Sequence, residues 1–109
     1  MIAIRETDEK EWMRDELRPK RRREAVFFYT AMCGTCKVAE RMLEVAEATG
    51  GVVPISKINI HFAPHLRSAW QIASVPCLVL LKDGEPDQIV YSMESVGNLY
   101  RLLQAQGGT

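Results

Sequence analysis

Net charge is what this 109-residue chain lacks first: 14 acidic residues cancel 14 basic ones. No overall field recruits nucleic acid or an anionic membrane. Long apolar runs are missing as well. The longest, residues 75–81, contains a proline and is seven residues long, against the roughly 20 a spanning helix requires. Arg5, Glu6, Asp8, Glu9, Lys10 and Glu11 stand where a secretory leader would carry its apolar segment, so a cytoplasmic location is expected. Cysteine is scarce and odd in number, three in all, which rules out a disulfide framework. Repeats, low-complexity tracts and linkers are also absent, and a single domain over residues 1–109 is expected, with a core that needs no staples.

What is present is an alternation of strand and helix patterns. Residues 2–4 alternate as a short edge strand would, and Thr7 can cap a helix with Trp12, Met13 and Leu17 on one face. Pro19 stops that helix, and the basic run Lys20-Arg21-Arg22-Arg23 reads as a solvated loop flanked by Asp15, Glu16 and Glu24 rather than a nucleic-acid site. Residues 25–29 (Ala-Val-Phe-Phe-Tyr) are continuously apolar, the mark of a strand covered on both faces and therefore central. Val38, Met42, Val45 and Ala46 recur at helical spacing up to Gly50-Gly51, which suits a helix end. Residues 52–60 read as a second buried strand with Pro54 near its start. Phe62, Leu66, Ala69 and Trp70 suggest a short helix with Pro64 in its first turn. Residues 77–81 and 88–91 form a hairpin around Asp83-Gly84, and Val96, Leu99, Tyr100 and Leu103 line a last helix. The expected order is β-α-β-α-β-α-β-β-α, an α/β fold with one mixed sheet and helices on both faces.

Chemistry concentrates at Cys33-Gly34-Thr35-Cys36, where the central strand gives way to a helix. In a sheet of this kind, functional loops gather at the carboxyl ends of the parallel strands. A thiol at a helix N-terminus meets unpaired N–H groups and the positive end of the macrodipole, so Cys33 should ionise below the free-cysteine value of about 8.5. Cys36, one turn deeper, should be less exposed. The asymmetry assigns attack on a substrate disulfide to Cys33 and release of the reduced product to Cys36.

The strand, the Cys-Gly-Thr-Cys-Lys segment at residues 33–37 and its helix, Lys57-Ile58-Asn59, Val75-Pro76 and the hairpin around Asp83-Gly84 together resemble thioredoxin-like proteins over nearly the whole chain. The resemblance implies a thioredoxin-like fold and a thiol–disulfide oxidoreductase, here a reductant of protein disulfides fed by a separate thiol-reducing system, with no bound cofactor. It makes Cys33 the attacking thiol, Cys36 the resolving thiol and Pro76 a cis-proline beside them. A cis Pro76 would leave Val75 with free backbone groups on which an extended client could pair. Met32, Gly34, Thr35, Ser74, Ser92 and Met93 would complete a shallow groove around Cys33.

Departures from the family pattern are specific. Met32 replaces a tryptophan, Thr35 replaces a proline, and Arg41 replaces the helix proline, so a kink is not expected. Phe27 stands where thioredoxins proper carry a buried acid that assists the resolving thiol. Either Lys57 or a water takes over that proton transfer, or resolution is slow. Cys77 reads as a small buried apolar residue, silent in redox chemistry.

Other classes remain open at this point. Cys33-X-X-Cys36 with His61-X-X-X-His65 imitates a two-cysteine, two-histidine zinc site, although 24 residues separate the halves against the usual roughly 12–15. A cluster shared between chains would need more than the cysteines offer. Phe27 in place of the acid also makes credible, as an alternative, a binding module that keeps the fold and has lost efficient turnover.

Overall fold

The computed structural model describes residues 4–14 and 22–105. Its strands and helices follow the expected order: β1 (Arg5–Glu6), α1 (Glu9–Arg14), β2 (Arg23–Tyr29), α2 (Gly34–Thr49), β3 (Ile55–Asn59), α3 (Pro64–Ala69), β4 (Cys77–Lys82), β5 (Glu85–Val90) and α4 (Val96–Leu103). A short 3₁₀ turn, Ile60–Phe62, leads from β3 into α3. The strands form one mixed sheet in the order β1-β3-β2-β4-β5. β1, β3 and β2 run parallel, whereas β4 and β5 are antiparallel additions. β2 is central, as its unbroken apolar run requires, and its five inner residues are buried.

Each sheet face carries its own core. Ala25 and Phe27 of β2 join Leu78 and Leu80 beneath α2 and α4, which supply Leu43, Ala46, Leu99 and Leu103. Val26, Phe28, Ile58, Val79 and Leu81 project the other way, against Trp12 of α1 and Leu66 of α3. Trp70 meets Trp12 edge-on at 5.5 Å and Phe28 at 5.9 Å, an arrangement that suits the ring quadrupoles. The period-two alternation of β2 thus divides Ala25, Val26, Phe27 and Phe28 between two separate cores.

Several local expectations need correction. Asp8 caps α1, not Thr7: its carboxylate accepts from Glu11 N–H at 2.7 Å, while Thr7 Oγ1 donates to the Glu11 carboxylate. Met13 is 48% exposed because six residues of helix offer only one inward position, taken by Trp12. In α2 the buried stripe is Cys36, Ala39, Leu43 and Ala46; Val38 and Val45 face solvent. β3 is shorter than expected, since Val52 makes only an isolated bridge to Gln104 and Ile60 enters the 3₁₀ turn. In the segment through α3, Leu66 is buried, while Phe62 and Ala69 are exposed. β5 begins at Glu85, takes up Pro86 beside a bulge and ends before Tyr91. Asp83 and Gly84 both hold positive φ, 55° and 83°, as a tight hairpin turn demands. Leu17, Pro19, Lys20, Arg21 and the first two residues of the strand expected at 2–4 lie outside the described residues; Ile4 is buried and precedes the strand, which is Arg5–Glu6.

Candidate functional site

The parallel strands β2 and β3 end on the same side of the sheet, and the loop after β2 delivers the dithiol there. β4 runs antiparallel to β2 and pairs Cys77 with Phe28, so Val75 and Pro76, just before it, arrive at that same end. The Val75–Pro76 bond is cis. One edge of the site is therefore the start of α2 and the other is the entry to β4.

Cys33 is the N-cap of α2, with extended backbone (φ −117°, ψ 107°), and its sulfur accepts the Cys36 N–H at 3.1 Å. This is the anion-binding geometry of a helix start, and no acidic residue in the first turn opposes it. Thr35 Oγ1 lies 3.4 Å from the Cys33 sulfur, a second polar neighbour. Cys33 and Cys36 are joined as a disulfide across one turn, with Cα atoms 5.2 Å apart. Cys33 is half-buried, whereas Cys36 is 2% exposed. Only the first sulfur is within reach of solvent.

Met32 is 96% exposed beside Cys33, Gly34 and Thr35 are exposed, and Val75 and Pro76 are half-buried opposite them. Ser74 and Ser92 are exposed. Met93 does not line the groove: it is buried in the core beneath α2 and α4, where a flexible thioether fills space. A cleft of about 190 Å³ bounded by Thr30, Ile60, Arg67, Ile72, Ser74 and Val75 lies beside the cis bond.

Phe27, where the resemblance implies an acid, is fully buried and sits in a cross-sheet row between Lys57 on β3 and Leu78 on β4. Lys57 is not a free surface lysine. Its ammonium forms a 2.5 Å ion pair with Glu40 of α2, both side chains about one-fifth exposed, and lies 5.7 Å from the Tyr29 ring centre. The Tyr29 hydroxyl in turn donates to Glu6 of β1. Burial, then the Glu6 carboxylate, raise the Tyr29 phenol well above its ordinary range. Glu40 escaped the sequence reading because its importance depends on Lys57, 17 residues away on another strand. Its position four residues after Cys36, on the same helix, was the available signal.

Cys77 lies on the opposite sheet face, among Phe28, Val79 and Leu81. Burial pushes its thiol up to about 12, and a hydrogen bond with Tyr91 offsets part of the rise. His61 and His65 sit on the 3₁₀ turn and α3; the His65 N–H belongs to a cap formed by Glu9. Among the described residues no three His, Cys, Asp or Glu side chains converge as a metal site would require. Nor, among them, is any helix long and apolar enough to cross a membrane.

Comparison with known proteins identifies the family and the fold. The thioredoxin family model matches residues 4–105. A thioredoxin-like protein, YusE, of Bacillus subtilis (strain 168) is 34% identical over 84 residues, covering 77% of this chain and 79% of its own. A thioredoxin of Chlamydia caviae is 34% identical over 76 residues, 70% of this chain and 74% of its own. Among solved structures, a point-mutant thioredoxin from Halobacterium salinarum NRC-1 superposes over 100% of this chain and 96% of its own with a TM-score of 0.78; at 22% identity it speaks for the fold. The mixed sheet is thus the thioredoxin fold, and the relatives together with the Cys33–Cys36 pair support thiol–disulfide oxidoreductase chemistry in general. By family model, by relatives and by architecture, the chain belongs to the thioredoxin family.

Proposed function

We propose that the protein reduces disulfides in protein clients, with Cys33 as nucleophile and Cys36 as resolving thiol, and is recycled by a separate thiol-reducing system in a cytoplasmic, reducing setting. The observation that carries this reading is the asymmetry of the pair: a reachable sulfur at a helix N-cap, and a sealed one bonded to it from behind. In the reduced protein the Cys33 thiolate attacks a client disulfide and one client sulfur leaves as a thiolate. Cys36 then attacks Cys33, the Cys33–client bond breaks, and the protein keeps the disulfide while the client has gained two electrons.

The groove suits extended clients of varied sequence. Met32 offers a wholly exposed, adaptable apolar contact, and the segment at Val75 presents backbone to pair with a strand-like substrate. Gly34 meets nothing within 4 Å of the place a side chain would occupy, so the surface beside Cys33 is open.

Reduction of an insulin-type disulfide with dithiothreitol as electron source tests the reading. The wild-type chain should accelerate it, Cys33→Ser should lose the acceleration entirely, and Cys36→Ser should accumulate a covalent mixed disulfide visible by mass. A folded wild-type chain that adds nothing to dithiothreitol alone would instead mark a binding module. Equilibration against a glutathione series then fixes direction, since about 30 mV corresponds to a tenfold change in the two-electron equilibrium.

A further inference from the structure

We propose that Glu40 is the proton acceptor for Cys36, replacing from helix α2 the acid that Phe27 removes from strand β2. The inference rests on the reductase reading above and names the group that makes its second step fast.

The resolving thiol has a chemical difficulty. Cys36 is 2% exposed, so bulk solvent cannot readily take its proton, yet only its thiolate attacks the Cys33–client bond. Across the sheet row beneath it, Phe27 and Leu78 are wholly apolar. Glu40 is placed differently. It follows Cys36 by four residues on one helix, which brings their Cβ atoms to about 5–6 Å. Helical side chains lean toward the N-terminus, so Glu40 leans back over the turn that carries Cys36.

Lys57 holds the carboxylate there. The 2.5 Å ion pair ties Glu40 to the sheet at the strand position paired with Phe27. A lysine with no such acid would present a donor and no acceptor; paired with Glu40, it holds the carboxylate in place. Tyr29 on β2 places its ring against the Lys57 ammonium, and Glu6 on β1 accepts the Tyr29 hydroxyl. Of the ionisable groups on α4, Arg101 donates to Asn98 and Tyr100 donates to Gly50 at the far end of α2. On α2 itself Lys37 and Arg41 are exposed, and Glu44 is half-buried one turn further from Cys36.

In the mixed-disulfide state the Cys36 thiol passes its proton through one water to the Glu40 carboxylate. The Cys36 thiolate attacks the Cys33 sulfur, the client sulfur leaves as a thiolate, and the proton on Glu40 returns to solvent or to that leaving sulfur. Charge and electrons balance without an outside reagent.

The test uses the full-length reduced protein and a chromogenic aromatic disulfide, which releases one coloured thiolate on attack by Cys33 and a second on resolution by Cys36. At pH 7, Glu40→Gln should slow the second phase by on the order of 100-fold and leave the first within about twofold. The defect should narrow as pH rises, because hydroxide can then take the Cys36 proton directly. Formate added to Glu40→Ala should restore part of the second phase. Lys57→Met should slow the same phase by a smaller factor. A partly exposed ion pair contributes little to folding, so melting midpoints should stay within about 5 °C. A second phase unchanged in Glu40→Gln, or slowed equally at every pH, would overturn the proposal and leave the pair a structural clasp. A wild-type chain that shows the first phase and no second would instead sink the reductase reading itself.

Discussion

Cys36 and Cys77 are almost equally sealed from water, 2% and 0% exposed, and yet their chemistry differs completely. Cys36 has a sulfur partner on its own helix turn. Cys77 has the sheet between itself and α2, and apolar neighbours from β2 and β4 around it. In the Cys33→Ser/Cys36→Ser double variant, the remaining thiol should therefore resist an alkylating reagent at pH 8 and react at once in denaturant. Its proton also links to stability. An unfolded thiol ionises near the ordinary 9.0 and the folded one near 12, so the folded state retains a proton that the unfolded state has released between those values. The contribution is complete below about pH 9 and is lost as pH rises toward 12. Tyr29 adds a slope of the same sign, starting from its ordinary 10.0. Between pH 9 and 10, denaturant titrations should show wild-type stability falling by at most about 1.4 kcal/mol per pH unit from this group, and Cys77→Ala should flatten that fall. An identical slope in both proteins would contradict the assignment.

At the scale of elements, the short helices are held by partners distant in sequence. Ala63 gives α3 no side-chain cap, and Glu9 of α1 does so instead, accepting from Leu66 N–H at 2.8 Å and His65 N–H at 3.3 Å. One carboxylate thus caps α3 and ties it to α1. Glu9→Ala should cost about 1–2 kcal/mol in urea unfolding and leave disulfide exchange rates unchanged, since the clasp lies on the face away from α2. No local pattern reveals such a cap, because its halves are 56 and 57 residues apart. The phase of α2 was hidden for a related reason. Its apolar residues fall on two overlapping stripes, and Val38, Met42 and Val45 read as well as Ala39, Leu43 and Ala46. What selects the second is the join to β2, which enters the helix through Cys33 and turns Cys36 inward. By contrast, elements whose signals are local were legible: the buried strand at residues 25–29, the Asp83-Gly84 turn, Pro64 at the start of α3 and the order of all nine strands and helices. The same distinction holds at the site. The cysteines and Val75-Pro76 stand in contiguous motifs, whereas the Glu40–Lys57 pair exists only once helix and sheet have met.

For the molecule as a whole, the sheet acts as a partition. The dithiol helix and the Glu40–Lys57 pair belong to the face with α4, and the opposite face, with α1 and α3, is packed from other side chains. β3 makes the partition testable within one strand. Ile55 enters the core beneath α2 and α4, Ile58 enters the core against α1 and α3, and both are nearly inaccessible at 3% and 0% exposed. Three residues of strand separate them by about 10 Å, and their side chains point to opposite faces. Removing one methylene from either should cost about 0.5–1.5 kcal/mol. Side chains that share no neighbours have nothing through which to couple, so the Ile55→Val/Ile58→Val double variant should lose the sum of the single losses within about 0.5 kcal/mol. Exchange kinetics should divide along the same line. Ile58→Val should leave both phases of disulfide reduction unaltered, because neither sulfur nor their acid rests on that core. If Ile58→Val slowed the second phase while Ile55→Val did not, or if the double variant departed from additivity by more than about 1 kcal/mol, the two faces would be one mechanical unit and the dithiol would depend on the whole chain.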